Sequence, residues 1–200
     1  MDDHRSQIGD RKIPDHVAEQ FEVALGLEHR PETLGDWIDV TAERLEEADI
    51  SFGVEELCLS DASPHRARIG SETRYFACVL DTLLLPFLFE ELRELDIHTE
   101  SPVSDSIIEV RVSNTDITVE PAGAVISFGI AADTAPPEER DGVLAYGTAQ
   151  FCPYINAFAD ESEYERWTDD TPEAVTMSLP LEDGFALAAS LHSRLTSDHS

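Results

Sequence analysis

Two cysteines and one aspartate are the residues of this chain whose types and spacing could do chemistry. Cys78 and Asp81 stand three positions apart in an apolar stretch that the pattern predicts as helix. Their side chains then share one face, with Cβ atoms about 5–6 Å apart. A carboxylate on a buried helix is uncommon without a partner or a task, because burial disfavours its charged form and raises its pKa. The alternative is that Cys78 is a small core residue and that Asp81 caps a neighbouring backbone group.

Cys152 is the third candidate, in the segment Gln150-Phe151-Cys152-Pro153-Tyr154. This segment ends a predicted strand, where proline stops the hydrogen-bonded ladder, and strand ends are where side chains meet a cleft. A core cysteine is again the alternative. The remaining cysteine, Cys58, lies between two leucines, and we expect it to be a structural residue. Three cysteines at wide spacing resemble neither a disulfide framework nor a CxxC zinc site.

The N-terminal part of the chain predicts a helical module. Residues 1–13 are interpreted as a disordered leader, after which Pro14 starts a helix that stops near Gly26. Two short helices follow, each with a threonine as N-cap: Thr33 before 34–38 and Thr41 before 42–48. Two short helices in tandem suggest a helix-turn-helix.

A small wing is predicted to follow these helices. Residues 57–59 and 65–69 are interpreted as its two short strands, separated by a turn-rich stretch. Gly70 and Ser71 then mark a boundary. The sequence therefore predicts a winged-helix-like module over 14–70 and a second, catalytic domain over 71–200.

The second domain is predicted to be a mixture of helix and antiparallel sheet. Residues 72–95 are apolar almost all round, which is typical of a helix at the centre of a domain, and Pro86 should kink it or end it locally. The remaining predicted elements are strands at 107–112, 117–119, 125–130, 144–154 and 176–179, a loop at 133–142, and helices at 160–167 and 181–195. The fold class expected is α+β, an antiparallel-sheet domain with a central buried helix.

Composition limits the class of protein. The 200 residues hold 42 acidic against 13 basic side chains, a formal charge of −29, and Lys12 is the single lysine. With 42% apolar residues the chain can bury a core, so it is no disordered polyanion. The dispersed acids suggest a halophilic surface, since molar salt screens such charge to within about 3 Å. The sequence has neither an apolar run of membrane-spanning length nor a secretory signal, so we expect a soluble cytoplasmic protein with reduced thiols.

The sequence contains no motif for the other common kinds of catalytic or binding site. No two of the seven histidines have the i, i+4 spacing of a helical metal site. The chain has no Gly-x-Ser-x-Gly elbow, no Gly-x-Gly-x-x-Gly fingerprint and no phosphate loop. Hydrolase, dehydrogenase and nucleotide-binding functions are therefore not indicated.

The segment Tyr75-x-x-Cys78-x-Leu80-Asp81-Thr82-Leu83-x-x-Pro86 resembles the signature helix of the organomercurial (alkylmercury) lyase family. Further segments that resemble this family, in the right order, are Val112-Ser113-x-Thr115-Asp116-Ile117, Val119-Glu120-Pro121-Ala122-Gly123-x-x-x-Ser127, and Phe151-Cys152 followed by Phe158-Ala159. Upstream, Thr33-Leu34, Asp39, Ala42-Glu43-Arg44-Leu45 and Pro64-His65 are similar to its N-terminal winged-helix-like domain. The resemblance covers roughly residues 32–195.

The resemblance implies cleavage of a carbon–mercury bond by protonolysis without a cofactor. Carried over by position, Cys78 and Cys152 capture the metal, because mercury is a soft cation that favours thiolate ligands. Asp81 takes a thiol proton and gives it to the leaving carbon. Small thiols or a mercuric reductase would then remove Hg(II), the product. The alternative function is a thiol-based protein that binds or senses a soft metal, which has no need of Asp81.

Two departures from the family pattern concern cysteines. Well-known members carry a further cysteine directly after the distal one, where this chain has Pro153, and another between the signature helix and the central strand, where this chain has none. Nucleic acid is not an expected partner. Acids outnumber bases over residues 33–48, where Arg44 alone is available to contact phosphate.

Overall fold

The computed structural model describes residues 7–50, 53–89, 92, 94–113, 116–136 and 143–197. The fold is α+β, as predicted, with helices packed on antiparallel sheets. The helices are α1 (Asp15–Leu25), α2 (Leu34–Glu47), α3 (Val79–Leu88), α4 (Val143–Gln150), α5 (Glu161–Asp170) and α6 (Leu181–Ser197). The strands are β1 (Leu59–Ser60), β2 (His65–Ile69), β3 (Glu72–Phe76), β4 (Glu94–Glu100), β5 (Ile107–Ser113), β6 (Asp116–Glu120), β7 (Val125–Ala131), β8 (Ala157–Phe158) and β9 (Ala174–Pro180).

Two antiparallel sheets organise the core. The larger has the strand order β1-β3-β2-β4-β5-β6, and the smaller has β7 between β8 and β9. All seven residues of β7 are buried, as are the residues of α3 from Val79 to Leu85. Because α3 packs against α6 and against strands of the larger sheet, it is the central buried helix that the sequence predicts. None of the helices in the described ranges is long and apolar enough to cross a membrane.

The N-terminal segment is ordered where the structure describes it. α1 begins after Pro14 and ends at Gly26, which has the left-handed φ of 59° that favours glycine, so this prediction is confirmed. The predicted leader is wrong for residues 7–13: Ile8 and Ile13 are buried, and Arg11 forms an ion pair of 2.6 Å with Asp183. Residues 1–6 lie outside the described ranges.

The predicted pair of short helices is wrong, because α2 is one continuous helix. Its N-cap is Thr33, as predicted, in a capping box with Asp36. Thr41 lies inside the helix and starts no new one. The buried side chains of α2 share one face that continues past this threonine: Leu34, Trp37, Ile38, Ala42 and Leu45. Packing of that face outweighs the local capping signal.

The predicted wing is part of the larger sheet. β2 occupies residues 65–69, as predicted, but its partners are β3 and β4, whereas β1 begins only at Leu59 and pairs with β3. Gly70, with a φ of 63°, lies in the tight turn between β2 and β3. The predicted boundary at Gly70 and Ser71 therefore falls inside a hairpin, and one sheet continues across it.

Two further segments differ from prediction. Residues 72–76 form β3 rather than the first turns of a helix, because pairing with β1 on one side and β2 on the other satisfies their backbone groups. Residues 144–154, predicted as a strand, form most of α4 and a 3₁₀ turn over Cys152–Tyr154. Both edges of β7 are already occupied by β8 and β9.

The central helix ends at Leu88, and Glu94 and Leu95, predicted as its last residues, begin β4, a strand that was not predicted from the sequence. The other predicted elements are confirmed. β5, β6, β7 and β9 cover the predicted strands, and α5 and α6 cover the predicted helices. Asp160 is the N-cap of α5, and its side chain accepts a hydrogen bond from the Glu163 amide. Asp133–Pro136 is loop, as predicted, and residues 137–142 of the same predicted loop lie outside the described ranges.

Candidate active site

Cys78 and Asp81 lie at the start of α3. Cys78 is the N-cap residue, with extended backbone (φ −140°, ψ 162°), and Asp81 is in the first turn. The prediction that both stand on one helix is therefore wrong in detail, since the helix begins after the cysteine. The two side chains nevertheless interact, since the Cys78 thiol opposes the rise in the pKa of Asp81.

Two backbone hydrogen bonds bring distant cysteine-bearing segments to Cys78. On one side, the Ala77 amide donates to the Cys58 carbonyl at 2.7 Å. On the other, the Val79 amide donates to the Ile155 carbonyl at 3.3 Å, and the Ile155 amide in turn donates to the Cys152 carbonyl at 3.3 Å. Cys78 is thus flanked by the segments that hold the other two thiols.

Cys58, Cys152 and Asp81 form a compact cluster, and Cys78 lies beside it at the same cavity. The Sγ atoms of Cys152 and Cys58 are 3.3 Å apart, and the Cys152 thiol also acts on the pKa of Cys78. The Cys58 backbone amide donates to Asp81 Oδ2 at 3.2 Å. One ligand atom each from Cys58, Asp81 and Cys152 lie within 4.8 Å of one another. Sulfur and carboxylate ligands this close together can bind one soft metal ion.

Burial makes Asp81 a weaker acid than a free aspartate. Its side chain is 7% exposed, and the loss of solvent raises its pKa from 3.8 to about 6. The hydrogen bond from the Cys58 backbone amide and those from the thiols of Cys58 and Cys78 oppose this shift. At neutral pH the group is therefore largely ionised, and it can both accept and release a proton under physiological conditions.

All three thiols are held in the protonated form. The hydrogen bond with Cys152, followed by burial and the charge of Asp81, raises the pKa of Cys58. For Cys78, the hydrogen bond from Cys152 lowers the pKa, but burial and Asp81 outweigh it. For Cys152, the bond with Cys58 lowers the pKa, but the bond with Cys78 and burial outweigh it. A metal that binds here must therefore displace thiol protons.

An apolar cavity of about 210 Å³ opens onto the cluster. α2, α3, α4 and α6 all contribute to its wall. The apolar side chains that line it include Trp37, Leu80, Leu84, Leu144, Phe151 and Leu191. Its charged lining residues in the described ranges are Arg44, Glu56 and Asp81, and Arg44 is occupied by hydrogen bonds to Glu47 and to the Gly26 carbonyl. The cavity suits an apolar group attached to a soft metal.

The structure brings together Cys78, Asp81 and Cys152, the residues selected from the sequence. It also adds Cys58, which the sequence predicts as a structural residue and which here lines the same cavity. Cys58 is half-buried, and its thiol contacts Cys152 and the Thr148 hydroxyl, the latter at 3.0 Å. This contact between Cys58 and Cys152 could not be predicted from residue spacing, because 94 positions separate the two cysteines.

Comparison with known proteins gives one consistent result. A family model described as MerB, alkylmercury lyase, matches residues 59–193. Alkylmercury lyase of Staphylococcus epidermidis is 30% identical over 135 residues, which is 66% of this chain and 55% of that protein. Alkylmercury lyase of Streptomyces lividans is 29% identical over 132 residues, 64% of this chain and 54% of that protein. The chain thus matches about half the length of these curated relatives.

A solved structure has a similar fold. The crystal structure of the mercury-bound form of MerB2 superimposes with a TM-score of 0.54 at 17% identity, covering 97% of this chain and 98% of that one. At this identity the likeness concerns the fold. The family match includes Cys78, Asp81 and Cys152, whereas Cys58 lies just before its first residue.

Proposed function

Because the chain belongs to the alkylmercury lyase family, we propose that it cleaves carbon–mercury bonds of organomercurials by protonolysis, releasing a hydrocarbon and Hg(II). The observation that carries the proposal is the meeting of Cys78, Cys152 and Asp81 at an apolar cavity. Two thiols and one proton carrier are what this reaction requires, and no cofactor enters it.

Capture of the substrate uses the two thiols. The sulfur of Cys152 forms a bond to the mercury of R–Hg⁺, and its proton leaves to solvent. Cys78 then adds as the second ligand, and its proton passes to the neighbouring Asp81 carboxylate. Two thiolates increase the electron density on mercury and on the carbon bonded to it, which prepares that carbon for protonation.

Asp81 completes the reaction as a general acid. It gives the Cys78 proton to the carbon, the carbon–mercury bond breaks with its electron pair going to the new C–H bond, and R–H departs. Hg(II) remains on two thiolates, and Asp81 is again ionised. A pKa near 6 suits both roles, because the group is neither a strong acid nor a permanently protonated one at neutral pH.

The cavity limits the substrate class. An apolar cavity of about 150 Å³ is known to hold benzene, so one of about 210 Å³ has room for a phenyl or small alkyl group beside the metal. Hg(II) would leave by exchange onto small thiols or a mercuric reductase. We place the reaction in the cytoplasm, where thiols remain reduced.

The test is release of hydrocarbon from a phenylmercury salt with excess thiol in high salt, with benzene measured by gas chromatography. Asp81→Asn should retain mercury and lose about 10²- to 10⁴-fold in turnover, because an amide cannot accept and return the proton. Glu163→Gln is the matched control: Glu163 is also a buried carboxyl group, but it lies on α5 and does not line the cavity.

Equal benzene release by Asp81→Asn and the parent, at equal mercury occupancy, would contradict the role of Asp81. Parent protein that retains mercury and releases no benzene would instead be a soft-metal binding protein, the alternative that the sequence allows. Loss of activity in Glu163→Gln comparable to that in Asp81→Asn would assign the effect to stability.

A further inference from the structure

Cys58 is a thiol in the cluster that the proposed reaction does not use. Protonolysis needs two sulfur ligands and one proton carrier, and Cys78, Cys152 and Asp81 supply them. The match to the family model begins at residue 59, directly after Cys58. The resemblance therefore assigns this residue no role, and its position has to be interpreted from its contacts.

Cys58 packs against the hydrophobic core and also makes polar contacts. The Cys58 thiol lies 3.3 Å from the Cys152 thiol and 3.0 Å from the Thr148 hydroxyl, and its backbone amide donates to Asp81 at 3.2 Å. A cysteine that only fills a core contacts apolar side chains and behaves as a small hydrophobic residue. Cys58 instead directs its sulfur at the second cysteine of the proposed reaction.

Exposure distinguishes Cys58 from the other two thiols. Cys78 and Cys152 are 2% and 7% exposed, whereas Cys58 is only half-buried. Like them, it lines the cavity. It is thus placed between the buried pair and solvent.

We propose that Cys58 is a third mercury ligand, which joins Cys78 and Cys152 in holding the Hg(II) product. The proposal rests on the proposed function, because cleavage delivers Hg(II) to this place. Once Asp81 has protonated the carbon, its carboxylate is free to take the Cys58 proton, and the sulfur electron pair of Cys58 forms a third bond to mercury. No mercury–sulfur bond breaks, no electrons are transferred, and the proton passes from Asp81 to solvent.

Titration with inorganic Hg(II) tests this without any cleavage step. Reduced protein at pH 8 is titrated with mercuric chloride, and the ultraviolet sulfur-to-mercury charge-transfer spectrum and the protons released are recorded. Since each thiol must lose its proton to bind, the parent should release about three protons per Hg(II) and show the three-coordinate spectrum. Cys58→Ser should release about two and show the two-coordinate spectrum.

Thr148→Val is the matched control. It removes the hydroxyl that contacts Cys58 and keeps all three sulfurs, so it should retain the three-coordinate spectrum. A two-coordinate spectrum and two protons from the parent alone would overturn the proposal, even if Cys58→Ser failed to fold. Identical titrations of a folded Cys58→Ser and the parent would also overturn it.

The two proposals fail separately. Absence of benzene from a parent protein that binds Hg(II) through three thiols would refute the lyase reaction and leave a three-thiol metal site. Benzene release together with two-coordinate Hg(II) would refute the role of Cys58 and leave the lyase reaction.

Discussion

Replacement of Asp81 by asparagine should stabilise the protein, increasingly so as pH rises. In the folded state burial raises the pKa of Asp81 to about 6, against 3.8 for an ordinary aspartate. Between these values the native state holds a proton that the unfolded chain has released. Because stability increases with pH only where the unfolded state binds more protons, the contribution of Asp81 to the free energy of unfolding falls as pH rises through this window.

The magnitude follows from the size of the shift. One pKa unit corresponds to about 1.4 kcal/mol, so a rise from 3.8 to about 6 corresponds to about 3 kcal/mol of destabilisation once pH is well above 6. About 2 kcal/mol of this effect develops between pH 4.5 and 8. Domains of this kind are typically stable by about 5–15 kcal/mol, so the effect is readily measurable.

The assay is urea unfolding at constant high salt, followed by the fluorescence of Trp37 and Trp167, from pH 4.5 to 8. The difference in unfolding free energy between Asp81→Asn and the parent should increase by about 2 kcal/mol towards pH 8. His65 titrates in the same window with the opposite sign, because burial lowers its pKa from 6.5 to about 4. Its contribution is common to both proteins and cancels in the difference.

Glu163→Gln supplies a control of opposite sign. Burial raises the pKa of Glu163, but hydrogen bonds from Ser104, Ser101 and the Ala159 amide outweigh it and lower the pKa from 4.5. The parent should therefore gain stability over this variant as pH rises towards about 5, so this control is measured from a lower pH than the Asp81 pair. Parallel stability curves for the parent and Asp81→Asn would show that the pKa of Asp81 is ordinary. A carboxyl group with an ordinary pKa would hold little of the proton needed by carbon at neutral pH, so that result would also refute the proposed acid.

Two further predictions concern the stability of the fold. The imidazole of His65 is buried and hydrogen-bonded to the Thr99 hydroxyl at 2.6 Å. Burial keeps the ring neutral in the folded state at pH values where the unfolded chain protonates it. Between pH 7 and 4 the parent should therefore lose about 3 kcal/mol of unfolding free energy relative to His65→Gln, measured by urea unfolding. Gly129→Ala should lower stability by roughly 3 kcal/mol or more in the same assay, since its Cβ would lie 2.1 Å from the Val175 carbonyl oxygen, whereas Gly147→Ala, with open space around it, should be neutral or stabilising. Unchanged pH dependence in the first case, or equal stability of the two alanine variants in the second, would contradict these arguments.

The elements that local patterns determine were predictable from the sequence. Alternating apolar residues located β5, whose burial alternates along the strand. A short, mainly apolar run located β7, in which all seven residues are buried. Pro14 and Gly26 located the two ends of α1, because proline suits the start of a helix and glycine suits the left-handed residue after it. In each case the signal lies within a few residues of the element it determines.

The predictions that were wrong concern elements whose structure depends on segments distant in the sequence. Residues 72–76 continue an apolar helical pattern, yet they form β3 because β1 and β2 pair with them on both sides. Threonine is a common N-cap residue, yet Thr41 lies inside α2, because the buried face of that helix continues past it. Strand pairing and helix packing of this kind override local propensity, and the periodicity of a segment does not indicate which other segment packs against it.

Two of the three thiols could be predicted as site residues from the sequence, whereas Cys58 could not. All three lie where regular structure stops: Cys58 just before β1, Cys78 between β3 and α3, and Cys152 at the turn after α4. At such positions the direction of the side chain depends on hydrogen bonds between distant segments, such as the one from the Ala77 amide to the Cys58 carbonyl. Cys78 and Cys152 stand in segments that resemble a known family, but the placement of Cys58 depends on two segments of the chain meeting in space. A thiol outside a family's motif therefore becomes a candidate for the reaction only once the fold shows what its sulfur touches.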